Sequence, residues 1–191
     1  ALCCALTAVL APLTVTLPFT LIPFSLSLLP IFLTGALLPK RHAFLAVLLY
    51  VVLGMAGLPV FSGFAAGVGV LAGPTGGFIV GYPFTALLVS VAVEHRFSPL
   101  RYAVGAAAGL AVCYACGSVW YAVSAGVPYL QSLLATVVPF VGWDALKAVL
   151  AGALAAVGSA FSLMTFLTSI ILGLAMGSGT VFSIRFGQKD M

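Results

Sequence analysis

The feature that most constrains this chain is its succession of long apolar runs with almost no charge between them. Only 5% of the residues are charged and 63% are apolar, whereas a soluble domain carries roughly 25% charged residues. The chain cannot cover a globule with polar side chains, so an integral membrane protein is predicted. In a bilayer the backbone must satisfy its own hydrogen bonds, which leaves helices or a closed barrel. The runs are continuous rather than alternating, which favours helices.

Seven apolar runs, bounded by proline, glycine or charge, are candidate membrane spans, since a spanning helix needs about 20 residues. They cover roughly residues 1–17, 24–39, 42–57, 77–94, 100–124, 138–158 and 161–183. No basic segment precedes the first run, so we expect no cleavable signal peptide. The sequence therefore predicts an all-α, polytopic membrane bundle of six transmembrane helices, with an extra apolar helix at its C-terminal end.

Basic residues predict how the bundle is oriented in the cell membrane. The loops at about 40–42 and 94–101 contain Lys and Arg, whereas those after the first, third and fifth runs contain neither. Loops rich in Lys and Arg stay inside, so both basic loops are expected to be cytoplasmic in a multi-pass protein. The seventh run breaks this pattern, because it would leave Arg185 and Lys189 outside.

A glycine-rich segment, LPVFSGFAAGVGVLAGPTGG, follows the third run at residues 58–77. So long a loop in a compact protein is usually functional or disordered, and its apolar content argues against a solvated linker. We expect it to pack on the bundle and to line or cover a pocket; a purely structural connector is the alternative. Its GPTGG string lacks the GK[ST] ending of a phosphate-binding loop, so no ATP hydrolysis by this chain is expected.

An acid and a base stand three residues apart in the sixth run, within PFVGWDALKAVLAGALA. At about 100° per residue, Asp144 and Lys147 lie within roughly 60° of each other on one helical face. Charges within a membrane are expected to face the bundle or a wet cavity rather than lipid. We therefore predict that both point into an outward-facing pocket that binds a small organic solute. An intrahelical ion pair, or a lysine reaching to the interface, is the alternative.

Nothing in the sequence indicates an enzyme, a cofactor, a metal site or a nucleic-acid partner. The net charge of +4 comes from scattered residues rather than a basic run. The four cysteines lie in apolar runs and are expected to be small buried hydrophobes. The alternative from a different functional class is an intramembrane enzyme. It is disfavoured because His42 and His95 lack a Ser, Cys or Asp partner at a spacing suited to catalysis.

Four stretches together carry a family resemblance. They are PFSLSLLPIFLTGALL (23–38), LLYVVLGMAGLPVFSG (48–63), GVGVLAGPTGGFIVGY (67–82) and PFVGWDALKAVLAGALAA (139–156). In this order and spacing the chain, over about 1–158, resembles the BioY family, the biotin-binding S components of energy-coupling-factor (ECF) vitamin transporters.

The resemblance implies a six-helix protein that captures biotin from the external side. Uptake would be driven by a separate module of one coupling transmembrane subunit and two ATPase subunits, and a homo-oligomer is left open. In the first helix Ala1 and Ala5 form an AxxxA arrangement like the one with which S components dock the coupling subunit; ordinary helix packing is the alternative. Other readings are an S component for thiamine or riboflavin, or a stand-alone secondary carrier.

The resemblance also implies the binding residues. Asp144 and Lys147 match the family's acid and base, with Asp144 accepting a ureido N–H and Lys147 meeting either the ureido oxygen or the valerate carboxylate. The segment bordering the ligand would be Gly73, Pro74, Thr75, Gly76 and Gly77, followed by Tyr82. Apart from the resemblance, a mostly apolar pocket is expected, and Phe61, Tyr82 and Trp143 could form its apolar walls, with helix packing or an interfacial belt as the alternative for each aromatic. Trp143 itself departs from the family pattern, as do Ser25 and Ser27 where Thr and Gln are usual.

The C-terminal part does not fit this resemblance. Residues 164–190 weakly resemble an early helix and loop of the multidrug and toxin extrusion family. We therefore predict two parts: a six-helix S-component-like domain at 1–158, and an appended apolar helix with a short charged tail at 159–191.

Overall fold

The computed structural model describes residues 1–15, 24–94, 97–157, 165 and 168–170. Within these residues the regular secondary structure is helical apart from one short pairing, in which Thr14–Val15 (β1) runs antiparallel to Phe24–Ser25 (β2). The α-helices are α1 Leu2–Leu10, α2 Leu28–Leu37, α3 Lys40–Met55, α4 Val68–Ala72, α5 Gly76–Val93, α6 Pro99–Ala125, α7 Tyr129–Thr136 and α8 Val138–Val157, and a 3₁₀ turn covers Ser62–Phe64.

The longest helix, α6, has clear local signals at both of its ends. Ser98 stands before it in an extended conformation and Pro99 occupies its first position, where a missing N–H costs nothing. It ends at Gly126, whose φ of 64° is left-handed, a conformation that glycine adopts without a steric penalty. Helix α5 continues through Pro83, which removes one internal hydrogen bond.

Glycines allow α5 and α6 to approach closely. A Cβ at Gly109 would lie 2.9 Å from the side chain of Thr85, and one at Gly81 would lie 3.0 Å from the backbone of Cys113. The Thr85 hydroxyl donates to the carbonyl of Gly109 across this interface, at 3.1 Å. Small residues at helix crossings are typical of membrane bundles, in which close packing and polar contacts replace the hydrophobic effect.

Three described helices, α5, α6 and α8, are long and apolar enough to cross a membrane. Their outer faces are apolar as well: the exposed side chains include Leu100, Val104 and Val123 of α6 and Val149 of α8. Lipid accommodates such side chains, whereas a soluble surface rarely presents them contiguously. The prediction of a helical membrane protein is therefore confirmed.

The predicted runs agree only in part with the helices they correspond to: α1 ends at Leu10 although its run extends to 17, and α2 begins at Leu28 although its run starts at 24. The runs at 42–57, 77–94 and 100–124 match α3, α5 and α6 to within two residues at each end. Helix α7 was not predicted, because the hydropathy of 129–136 is moderate and the segment lay in an expected loop. The start of α8 agrees with the sixth run, which begins at 138.

By its internal contacts the chain divides into a unit of Ala1–Ala156 and a second unit of Val157–Met191. The second unit is described only at residues 157, 165 and 168–170, which are helical. The seventh run and the charged tail otherwise lie outside the described residues, as do His95 and Arg96. The division into 1–158 and 159–191 stays a prediction.

Candidate ligand-binding site

A cavity of about 260 Å³ lies within the first unit, between α2, α3, α5, α6, α7, α8 and the glycine-rich segment. Its size is close to the lower end of the roughly 300–1,000 Å³ range of small-molecule sites. The walls are mostly apolar and aromatic, with a few polar groups, as expected for an organic ligand. The described lining residues are Ser25, Ser27, Leu28, Tyr50, Phe61, Ser62, Ala65, Val70, Thr75, Phe78, Ile79, Tyr82, Cys113, Tyr114, Thr136, Phe140, Asp144 and Lys147.

Helical periodicity explains which side chains of α5 and α8 reach the cavity. In α5 and its N-cap the lining residues are Thr75, Phe78, Ile79 and Tyr82, a spacing of three, four and seven that defines one face. In α8 the lining residues Phe140, Asp144 and Lys147 are also among its buried residues. The same periodicity that turns the helices toward the bundle therefore brings the two charges to the cavity wall.

Asp144 and Lys147 form a buried ion pair at this wall. Lys147 Nζ donates to Asp144 Oδ1 at 2.6 Å, and the two side chains are only 5% and 4% exposed. The bond occupies one of the three ammonium N–H donors, so two remain for other acceptors. Lys147 Nζ also lies 5.7 Å from the ring centroid of Trp143, within the range of a cation–π contact.

Tyr114 of α6 completes this charged group. Its hydroxyl donates to Asp144 Oδ2 at 2.7 Å, while Lys147 donates to the other oxygen. Each carboxylate oxygen offers about two acceptor positions, so both oxygens can still accept an N–H from a ligand. The site thus presents hydrogen-bond acceptors and ammonium donors side by side.

The glycine-rich segment forms another wall and is anchored to α3. The ring of Phe61 packs directly on Gly54, where a Cβ would collide with it, and meets the ring of Tyr50 edge-on at 5.8 Å. The Tyr50 hydroxyl donates to the carbonyl of Val60 at 3.0 Å, and the amide of Gly67 donates to the carbonyl of Gly54 at 2.8 Å. These contacts support the prediction of a structured loop that lines a pocket.

Hydroxyl groups form a second polar cluster on the cavity wall. Ser25 of β2 and Ser27, which directly precedes α2, share a hydrogen bond of 2.9 Å between their Oγ atoms. This cluster is uncharged and comes from the segment before α2, whereas the charged group comes from α6 and α8.

The structure brings together half of the residues predicted for the site. Phe61, Thr75, Tyr82, Asp144 and Lys147 line the cavity. The other five are not among the described lining residues: Gly73, Pro74, Gly76, Gly77 and Trp143.

Those glycines instead position the loop and α5 against α6. The carbonyl of Gly73 accepts a hydrogen bond of 3.0 Å from Trp120 Nε1, and Gly77 packs on the Cβ of Trp120. A Cβ at Gly76 would collide with the carbonyl of Leu71. Trp143 is half-buried on α8 next to Lys147, so the expectation that it forms a cavity wall is not supported.

Several lining residues were not predicted for the site. Tyr114 and Cys113 lie in an apolar helix with no motif around them, and Thr136 lies on the unpredicted α7. Ser25 and Ser27 were noted only as departures from the family pattern. Within the described ranges, no group of three His, Cys, Asp or Glu side chains is placed to share a metal ion.

Comparison with known proteins identifies the family to which this sequence is similar. The model of the BioY family matches residues 1–163, close to the 1–158 expected from the sequence motifs. The biotin transporter BioY of Thermotoga maritima is 35% identical over 142 residues, which are 74% of this chain and 83% of that protein. The biotin transporter BioY2 of Lactococcus lactis subsp. cremoris is 32% identical over 151 residues, 78% of this chain and 82% of that protein.

A solved structure shares the fold. The crystal structure at 2.1 Å of the S component for biotin from an ECF-type ABC transporter superposes with a TM-score of 0.75 at 24% identity. The match covers 81% of this chain and 85% of the other. With the family match over most of its length and relatives above 30% identity, the chain belongs to the BioY family.

Proposed function

We propose that this chain is the substrate-binding membrane subunit of an ECF-type vitamin transporter and that its substrate is biotin. The observation that carries the proposal is the buried Asp144–Lys147 pair in a mostly apolar cavity, in a chain whose relatives are named biotin transporters. Those relatives are transporters rather than enzymes, in agreement with the absence of catalytic motifs from the sequence.

The chemistry of biotin fits the two polar groups of the cavity. Biotin has a fused bicyclic body with a ureido group, which carries N–H donors beside a carbonyl oxygen, and a chain that ends in a carboxylate. Asp144 accepts a hydrogen bond from a ureido N–H. Lys147, whose Nζ lies 2.6 Å from Asp144 Oδ1, donates to the neighbouring ureido oxygen. The valerate carboxylate then accepts a hydrogen bond from whichever of the Ser25 and Ser27 hydroxyls does not donate to the other, and Phe61 covers the apolar body.

The finer topology also belongs to the proposal. The chain crosses the membrane six times, through segments that contain α1, α2, α3, α5, α6 and α8, and the loops at about 40–42 and 94–101 are cytoplasmic. Support comes from Lys40 Nζ and Glu94 Oε2, which form an exposed ion pair of 3.0 Å and so bring these two loops to one end of the bundle. The cavity residues of α5 lie in its first turns, at the other end, which is the external side.

Energy for uptake comes from separate subunits. The sequence has no phosphate-binding loop with which to hydrolyse ATP. Two ATPase subunits therefore hydrolyse ATP, and a coupling transmembrane subunit transmits the energy to this chain. Ala1 and Ala5 dock the coupling subunit; both are exposed, and Ala1, the N-cap of α1, lies one turn before Ala5, as a docking surface requires. Uptake by reconstituted vesicles should then need the ATPase module, and ATP-independent uptake would instead support a stand-alone carrier.

Equilibrium binding to the purified protein tests the substrate. We expect biotin to bind and thiamine and riboflavin not to. Asp144→Asn and Lys147→Ala should each weaken biotin binding by about 10- to 150-fold, since hydrogen bonds to charged groups contribute about 1.5–3 kcal/mol. Lys40→Met is the matched control, because it removes a lysine of an ion pair far from the cavity. Tight binding of another vitamin, with biotin ignored, would refute the assignment.

A further inference from the structure

Two tyrosines of α6 make similar hydrogen bonds to α8 but reach chemically different acceptors. The Tyr102 hydroxyl donates to the backbone carbonyl of Ala148 at 2.8 Å. The Tyr114 hydroxyl donates to the carboxylate of Asp144 at 2.7 Å. Tyr102 is buried away from the cavity, whereas Tyr114 lines it. The first bond joins the helices, and the second acts on a side chain that faces the ligand space.

The bond from Tyr114 fixes the orientation of the Asp144 carboxylate. Lys147 alone holds only Oδ1, and it does so through a flexible four-carbon chain that begins one turn along the same helix. Tyr114 holds Oδ2 from another helix, through a rigid ring with only two side-chain torsions. With both oxygens held from different directions, rotation of the carboxylate would break at least one bond.

We propose that Tyr114 is a positioning residue that sets the selectivity of the site for ligands carrying an N–H donor beside a carbonyl. By fixing Asp144, it leaves the carboxylate's remaining acceptor positions aimed in one direction, next to the free N–H donors of Lys147. A ligand whose N–H is blocked cannot satisfy the acceptor and is rejected, because a buried polar group would lose its partner. The inference rests on the proposed binding of biotin.

The test compares biotin with a derivative methylated at one ureido nitrogen, using wild type, Tyr114→Phe and Tyr102→Phe. Tyr114→Phe should raise the Kd for biotin about 10-fold. It should also lower the ratio of the Kd for the methylated derivative to the Kd for biotin. Tyr102→Phe loses a hydrogen bond of similar length between the same helices and should change neither value. Single interhelical hydrogen bonds contribute little to membrane-protein stability, so both variants are expected to fold, which thermal unfolding verifies.

A double-mutant cycle shows whether Tyr114 acts through Asp144. In the Asp144→Asn background, Tyr114→Phe should change the Kd by less than about threefold, because the carboxylate it orients is absent. Asp144→Glu tests the alignment of the carboxylate without altering Tyr114. It keeps the charge but moves it by one methylene, and should weaken biotin binding about 10-fold.

Four results would overturn the inference. Two are that Tyr114→Phe, or Asp144→Glu, binds biotin as tightly as wild type. The third is that Tyr102→Phe loses as much biotin affinity as Tyr114→Phe, and the fourth is that Tyr114→Phe loses as much affinity in the Asp144→Asn background as in wild type. If wild type itself ignores biotin, the proposed function fails and the inference fails with it. Normal biotin binding by wild type with no effect of Tyr114→Phe would overturn the inference alone.

Discussion

The replacement Lys147→Met separates the structural from the functional role of the buried ion pair. Methionine keeps most of the length of the lysine chain but removes the ammonium. Asp144 would keep its hydrogen bond from Tyr114 yet lose its counter-charge, in a position where its side chain is only 4% exposed. The variant therefore leaves an uncompensated carboxylate in the wall of an apolar cavity.

The size of the effect follows from burial. Removing one partner of a buried pair typically costs about 3–5 kcal/mol, whereas replacing both by apolar or neutral groups of similar volume is often neutral or stabilising. Lys147→Met alone should thus lower stability by about 3–5 kcal/mol, and Asp144→Asn with Lys147→Met should recover most of that loss. An exposed pair would show no such pattern, because its contribution is typically about 0–1 kcal/mol.

Binding should not recover with stability. Both the single and the double variant lack the ammonium donor, and the double variant also lacks the carboxylate acceptor. Each lost charge-assisted hydrogen bond to biotin is worth about 1.5–3 kcal/mol, or about 10- to 150-fold in Kd. We therefore expect the double variant to be folded and nearly as stable as wild type, but the weakest binder of the series.

Thermal unfolding in detergent, followed by tryptophan fluorescence, measures the first effect, and titration calorimetry with biotin measures the second. Wild-type stability in Lys147→Met would contradict the burial of the pair. Wild-type affinity in the stable double variant would contradict the functional argument, because the pair would then be serving only the packing of α8.

Three further changes test other parts of the structure. Gly54→Ala puts a methyl where the Phe61 ring packs; the ring should move into the cavity and weaken biotin about 5- to 150-fold, since overpacking costs about 1–3 kcal/mol, and unchanged calorimetry would contradict this wall. Trp120→Phe loses the bond to the Gly73 carbonyl and should raise the dissociation rate of biotin about 2- to 10-fold in stopped-flow measurements; an unchanged rate would mean that this bond does not hold the loop. Lys40→Met removes an exposed ion pair and should leave affinity unchanged and stability within about 1 kcal/mol.

The helices could largely be predicted from the sequence because the bilayer leaves few alternatives. A backbone in hydrocarbon must bond internally, so the long apolar runs at 42–57, 77–94, 100–124 and 138–158 correspond to helices, whereas the first two runs also contain the paired strands β1 and β2. Where that constraint weakens, prediction failed. Helix α7, at Tyr129–Thr136, is short and moderately polar, and its position depends on the hydroxyl of Ser132, which donates to the carbonyl of Ser118 in α6 at 2.7 Å.

The site was predictable where its signal is local. Asp144 and Lys147 are three residues apart on one helix, so their shared face follows from helical geometry alone. Tyr114 lies 30 residues before Asp144. A single tyrosine in an apolar helix belongs to no sequence pattern that predicts its hydrogen-bond partner. The glycines at 73–77 were recognised as a motif, but only the packing of Trp120 against them shows that they position the loop.

The charge balance of the cavity explains why its acid and base stand together. Among the described residues lining the cavity, the formal charges are those of Asp144 and Lys147, so the wall is neutral before any ligand enters. A ligand that inserts an uncharged donor and acceptor, as a urea does, can bond to both groups without leaving either charge uncompensated. A carboxylate brought to Lys147 would instead place a second anion beside Asp144, which is costly in a cavity of low polarity. The proposed binding mode therefore keeps the anionic end of biotin away from Asp144 and brings it to the hydroxyls of Ser25 and Ser27.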